Sequence, residues 1–187
     1  MTNQPIFYTG KGDDGTTTIY GKPERIPKYH PRPEAYGTID ESQAVIGLLR
    51  AGTRQPRIKE ILTRVERDLY LMMGQLAVAD HVKLPAKPID HSDVDWVEKV
   101  TAEIGQIITM PTEFILPGDT STGAYANLAR TVIRRAERNV AKLYDEEGVS
   151  NNAIIPYLNR LSSLLFVLTL FEDQQGGIEQ PTISKIA

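Results

Sequence analysis

From Arg57 to Ala79 the apolar residues return at every third or fourth position: Ile58, Ile61, Leu62, Val65, Leu69, Met72, Met73 and Leu76. That is the period of a helix with one buried face. The same pattern predicts four more helices. One begins near Pro33 and runs through Leu49, with Gly52 as its stop. Ser92, followed by Asp93 and Asp95, reads as the N-cap of a helix that continues to about Ile107. A helix over Ser121–Glu147 is stopped by Gly148, and another from about Ser150 to Glu172 ends at Gly176 and Gly177. LPAKPIDH is a proline-marked connection, MPTEFILPGD reads as extended or loop, and IEQPTISKIA as a tail, frayed or docked. Five amphipathic helices joined mostly by short connections predict an all-α, five-helix antiparallel bundle. Strands alternating with helices are missing, which disfavours a doubly wound α/β fold. The chain reads as one domain over 1–187, with an N-terminal segment at 1–31, the bundle at 32–175 and a tail at 176–187.

One stretch cannot belong to any core. TGKGDDGTTT, Thr9 to Thr18, holds three glycines, two carboxylates, a lysine and four threonines. Glycines let backbone N–H groups approach an anion closely, and threonine hydroxyls and Lys11 add donors. A flexible polar terminus is the alternative reading. The stretch is not a Walker A loop, because no GK[ST] follows a glycine at the required distance. Lys28 and Arg32 add positive charge nearby.

Composition narrows the field. Hydrophobic residues make up 41% and charged residues 24%, as in an ordinary soluble globular protein, and 187 residues suffice for one sizeable core. A net charge of −3, with no strongly basic end, argues against a nucleic-acid partner. No apolar run approaches the roughly 18–20 residues of a membrane span, and MTNQPIFY lacks the features of a signal peptide. Without cysteine there is no disulfide and no thiolate nucleophile, which fits a cytoplasmic location. His30, His81 and His91 are scattered, so a zinc centre is not expected, and no Glu-x-x-His or Gly-x-Ser-x-Gly occurs.

The helix STGAYANLARTVIRRAERNVAKLYDEE carries the most distinctive charges. At about 100° per residue, Ala129, Val132, Ile133, Ala136, Val140 and Leu143 form its core face. Arg130, Arg134 and Glu137 make a second stripe beside it, Arg138 lies next to that stripe, and Arg135 points further away. Like charges one turn apart mildly destabilise a helix. The stripe is either a solvated face in which Glu137 pairs its neighbours or a holder of an anionic ligand, since guanidinium forks match phosphate oxygens. Asp40, on a half-apolar helix, reads as a surface acid or as the partner of an arginine elsewhere. Asn159 either faces solvent or reads a base, ribose or phosphate. Phe114, on the irregular FILPGD segment, reads first as a core plug.

The pieces YTGKGDDGTTTIYG, K-(x)3-R-x-EAYGTIDE, FILPG, R-(x)3-RRAER and P-YLNRLS-x-LLF follow one another across nearly the whole chain. In that combination the sequence resembles the PduO-type corrinoid adenosyltransferases, also called ATP:cob(I)alamin adenosyltransferases. The resemblance implies a homotrimer of five-helix bundles with three active sites between neighbouring subunits. It implies transfer of the 5′-deoxyadenosyl group of ATP to Co(I) of a corrinoid such as cobalamin, with release of triphosphate. Residue by residue, it implies that Thr9, Gly10, Lys11 and Gly12 wrap the triphosphate, with Thr17 and Thr18 nearby and Lys28 closing the phosphate site. Arg134, Arg135, Glu137 and Arg138 match the ATP-binding helix motif, and Asn159 the nucleotide-contacting asparagine. Asp40 and Arg130 match a salt bridge across the subunit boundary that shapes the corrinoid site. Phe114 matches the aromatic that displaces the lower axial ligand. Magnesium is expected to arrive with ATP, and no dedicated metal cage is visible. A reductase and an adenosylcobalamin-dependent acceptor enzyme are the partners implied, with neither nucleic acid nor membrane. The chain departs from the usual pattern at Gly10 and Lys11, at Asp119, at Asn127 (commonly histidine) and at Ser163. The alternative function is an ATP-binding regulatory or carrier protein of the same fold that has lost turnover.

Overall fold

The computed structural model describes residues 7–79, 81–82 and 86–185. The first six residues, Leu84 and Pro85 of the LPAKPIDH connection, and Ile186 and Ala187 of the tail lie outside them. Five helices account for most of the described chain: α1 (Pro31–Gly52), α2 (Pro56–Leu76), α3 (His91–Gly105), α4 (Ser121–Glu147) and α5 (Ile154–Gln175). Before them, β1 (Thr16–Thr18) pairs antiparallel with β2 (Arg25–Pro27), Thr17 opposite Ile26.

The helix ends follow from local chemistry. α1 starts at a proline, with the His30 side chain accepting from Arg32 N. The N-cap of α3 is Asp90 rather than Ser92; its carboxylate takes Ser92 N, and Asp93 reaches back to Asp90 N in a reciprocal capping box. α4 spans the predicted residues, opened by Thr120 on Gly123 N and closed by Gly148 in the left-handed region (φ 67°). α2 stops at Leu76, short of Ala79, because the backbone beyond it pairs with the N-terminal segment: Tyr20 N donates to Ala77 O and Ala79 N to Tyr20 O. α5 begins at Ile154, since Asn151 turns the preceding chain by accepting from Ala153 N and donating to Gln75 and the Ile89 carbonyl.

α1 packs against α2 and α4, α4 against α5, and α5 against α3. Consecutive helices alternate in direction. α3 and α5 run the same way, since His91 at the start of α3 meets Asn152 just before α5, and Thr109 beyond α3 meets Gln174 near the end of α5. The core holds Ile39, Ile46, Leu62, Leu69, Ile133, Leu161 and Leu165, all fully buried; each such side chain contributes roughly 1.5–3 kcal/mol relative to leaving it exposed. α5 departs from the expectation that no segment is apolar enough for a membrane. Its most apolar window has a mean hydropathy of 1.6, and 67% of that window is buried inside the bundle. It is the central core helix, which explains its composition.

Polar ties fix the helices in register. Asp68 on α2 accepts from the buried Tyr157 hydroxyl on α5 at 2.8 Å, while Arg64 bridges to Asp93 of α3 and lies 3.9 Å over the Trp96 ring. At the other end of α5, Asp173 accepts from Thr120 N and Oγ1, and a Cβ on Gly123 would fall 2.0 Å from its Oδ1. Only glycine admits that carboxylate beside the α4 backbone.

Candidate functional site

The glycine-rich strip is a hydrogen-bonded loop leading into the hairpin. Asp13 N returns to Gly10 O, Gly15 N to Gly12 O, and Lys28 N to Gly15 O. Asp14 accepts from Thr16 N at 2.9 Å and Thr16 Oγ1 at 2.7 Å, and these bonds hold its carboxyl below the usual range. Arg25, which sequence reasoning did not single out, staples the strip: Nε donates to Thr16 Oγ1 at 2.6 Å, and Nη2 to the carbonyls of Lys11 and Thr16. Its only signal in the sequence is the β-branched run TTTI that it faces. A Cβ on Gly12 would lie 3.0 Å from Lys28 Nζ, so the glycine lets that ammonium sit against the loop. Thr9, Gly10, Lys11 and Lys28 are exposed around this turn; Thr17 and Thr18 lie on β1, where Thr17 is half-buried.

Arg32 does not contribute free charge there, contrary to expectation. It is buried at the base of the strip, where it meets Glu147 at the end of α4 at 2.7 Å and donates to the carbonyls of Leu76 and Val78 at the end of α2. It ties the strip to the bundle instead.

On α4 the arginines separate by face. Arg135 pairs with Glu41 of α1, away from the stripe. Arg134 and Arg138 are exposed, and neither has an ion pair among the described residues. Glu137 accepts from Asn159 Nδ2 at 2.9 Å, and Asn159 in turn accepts from Arg160, which pairs with Glu98. Glu137 is therefore turned to α5 and leaves its neighbouring arginines uncompensated. Arg130 is half-buried; desolvation first, and the charge of Arg134 second, hold its guanidinium below the ordinary value.

Beside Arg130 opens a cavity of about 520 Å³, lined by Met110, Phe114, Asn127 and Phe166 among others. Phe114 is not a core plug: it is 87% exposed. Its segment is held by the tail, with Leu116 N donating to Thr182 O and Ser184 N to Phe114 O, so the tail is docked. Asp119 fastens the same junction by accepting from Thr182 N and Oγ1, which lowers its carboxyl below the usual range. Ser163 is exposed on α5. Asp40 is exposed on α1 and lines a groove of about 470 Å³ with Tyr36 and Tyr70.

The structure thus assembles three separate patches in one chain. Arg130, Arg134, Glu137, Asn159 and Phe114 share the α4–α5 side, and Asp40, Glu41 and Arg135 lie toward α1. Residues 9–28 form the strip at the start of α1. Among the described residues, no hydrogen bond or ion pair joins the strip to Arg134 or Arg138, or Asp40 to Arg130. The most voluminous cavity described, about 660 Å³ near Asn151 and His91, contains none of these residues.

The comparisons with known proteins bear on this arrangement. A family model described as cobalamin adenosyltransferase matches residues 7–172. The cobalamin adenosyltransferase of Cupriavidus metallidurans is 37% identical over 170 residues, covering 90% of this chain and 89% of that protein. The corrinoid adenosyltransferase PduO of Citrobacter freundii is 32% identical over 183 residues, and the chain, matched over 97% of its length, spans about half (53%) of that relative. Among solved structures, a variant of the PduO-type ATP:corrinoid adenosyltransferase from Lactobacillus reuteri, complexed with cobalamin and ATP, superposes with a TM-score of 0.88. It is 27% identical, covering 97% of this chain and 100% of that one. Matched from the strip through α5 in sequence and along nearly its whole length in shape, the chain belongs to the cobalamin adenosyltransferase family.

Proposed function

We propose that the chain transfers the 5′-deoxyadenosyl group of ATP to Co(I) of a corrinoid such as cobalamin, releasing triphosphate. The observation that carries this reading is the row Arg130, Arg134 and Arg138 on α4, none with an ion pair among the described residues, whose first member borders an open cavity beside an exposed phenylalanine. Exposed guanidinium groups without acids favour an anion with several oxygens.

The chemistry asks little of nucleophilic side chains. Co(I) supplies the electron pair that forms the Co–C5′ bond, the C5′–O bond breaks, and its electrons leave on the triphosphate oxygen. The protein's work is to align C5′ with cobalt and to stabilise the charge that grows on the leaving group. In this reading Thr9, Gly10, Lys11 and Gly12 surround the phosphates, Thr17 and Thr18 support them, and Lys28 closes that end. Arg134 and Arg138 meet the phosphates from the other side, while Glu137 and Asn159 hold the nucleoside and Arg135 steadies α4 against α1. Phe114 excludes water and the lower axial ligand from one face of cobalt. Asp40 and Arg130 are partners across a subunit boundary, which explains why neither has an ion pair among the described residues. The assembly is a homotrimer with sites between subunits, each chain acting as one domain with its ATP segment at 1–31. Magnesium accompanies ATP on the phosphate oxygens; among the described residues no group of three or more His, Asp or Glu side chains could hold it independently. The reaction is placed in the cytoplasm, with a reductase supplying Co(I) and an adenosylcobalamin-dependent enzyme taking the product.

The test is incubation with ATP and chemically reduced cobalamin. Disappearance of the Co(I) spectrum with one triphosphate released per corrinoid supports the assignment. Calorimetric binding of ATP without either change would support a regulatory or carrier protein of the same fold instead.

A further inference from the structure

Arg130 has one side-chain partner among the described residues, Asn127, whose Oδ1 accepts from Nε at 2.9 Å. Three residues apart on α4, the two share a face, and both line the cavity beside Phe114. A guanidinium offers five donors in a rigid fork, so fixing Nε fixes the plane and direction of the rest. The bond to Asn127 therefore leaves both Nη groups directed and without an acceptor among the described residues. Burial and the neighbouring charge of Arg134 both work against this cation. Without a tether its long side chain would relax toward water. An asparagine supplies the tether without cancelling the charge, as an aspartate at this position would.

We propose that Asn127 is a positioning residue that presents the two Nη groups of Arg130 to an oxygen acceptor docking beside Phe114. The inference rests on the adenosyl-transfer reading, in which that acceptor is the Asp40 carboxylate of the neighbouring protomer and the pair shapes the corrinoid side of the site. Asn127 then sets affinity for the corrinoid and leaves affinity for ATP alone.

The experiment compares Asn127→Leu, which keeps the branched shape and removes the acceptor, with Asn127→Ala, Arg130→Ala and the Asn127→Leu/Arg130→Ala double variant. KM is measured separately for reduced cobalamin and for ATP. The expected result is a rise in corrinoid KM of about three- to tenfold for Asn127→Leu, the scale of one ordinary net hydrogen bond, with ATP KM within about twofold. In the Arg130→Ala background the second substitution adds nothing, because the two side chains act as one unit. Unchanged corrinoid KM, an equal rise in both KM values, or the same loss when Arg130 is already absent would overturn the inference. Asn127→Ala serves the same comparison if the leucine variant does not fold. A second readout is independent of turnover: Nε–H exchange at Arg130, followed by NMR, is slow in the wild type and accelerates in Asn127→Leu. Equal exchange rates would overturn the tether even in an active enzyme. Absence of adenosylcobalamin formation by the wild type would instead remove the functional reading, leaving the exchange measurement to decide the tether.

Discussion

Arg134 and Arg138 stand on an exposed helix face, and neither has an ion pair among the described residues. Like charges one turn apart add no stability to the isolated chain; in the proposed reading their value lies in binding the triphosphate. Arg134→Ala is expected to lower kcat/KM for ATP roughly ten- to a hundredfold, the consequence of losing one charge-assisted hydrogen bond in the transition state. Steady-state kinetics at saturating corrinoid check this, and wild-type values would remove Arg134 from the site. Phe114 makes a different prediction, because in the proposed reading this exposed ring beside the cavity meets the corrinoid rather than phosphate. Phe114→Ala should impair reaction starting from Co(II) under a reductant more than reaction from pre-reduced Co(I). Equal losses in the two assays would exclude ligand displacement as its role. The periodicity of α4 already separated Arg130 and Arg134 from Arg135, since angular position on a helix follows from sequence spacing alone. What spacing could not show was that Glu137 is drawn to Asn159 and that Arg32 is consumed by Glu147, because both partners lie far away in the sequence.

At the scale of elements, the helices were readable because each carries its own apolar period and its own stop, as α4 does from Thr120 to Gly148. The hairpin was not. β1 and β2 are three residues each, and their pairing depends on the Arg25 side chain and on the edge offered by the end of α2. The ends of α2 and α5 shifted for the same reason: tertiary partners claimed the backbone that local propensity would have kept helical. The ties between elements carry two predictions. Tyr157→Phe removes the hydroxyl that Asp68 accepts from and leaves a buried carboxylate short of a donor; it should cost about 1–3 kcal/mol, measured by urea denaturation. Asp173 concerns pH. Desolvation, the largest influence, raises its carboxyl above the ordinary 3.8 in spite of the Thr120 bonds. The native state then binds the proton more tightly than the unfolded chain, so this group's contribution is fully present below the unfolded pKa. It is lost as pH rises through the raised folded value. Asp173→Asn, which keeps an oxygen for Thr120, should melt higher than wild type near neutral pH. The difference should shrink as pH falls below the ordinary carboxylate range. A difference independent of pH would show that the carboxylate is not destabilised by its burial.

At the scale of the molecule, no hydrogen bond or ion pair among the described residues joins the strip to the arginine row. The strip stands at the start of α1, anchored through Tyr20, Arg25 and Arg32, and the arginine row lies on the α4–α5 side. In the proposed reading, a site closed between neighbouring protomers brings the strip of one and the row of the next to a single triphosphate. Lys28→Ala impairs the strip and Arg134→Ala the row, and each variant alone should be nearly inactive. Unfolded together at equal amounts and reassembled, they regain activity only where an intact strip from one protomer meets an intact row from the next. Random mixing at a heterologous interface makes that about one site in four. The most direct measurement is adenosylcobalamin formation by this mixture: about a quarter of the wild-type rate is predicted, whereas activity no greater than that of the two separate variants would contradict a site shared between subunits.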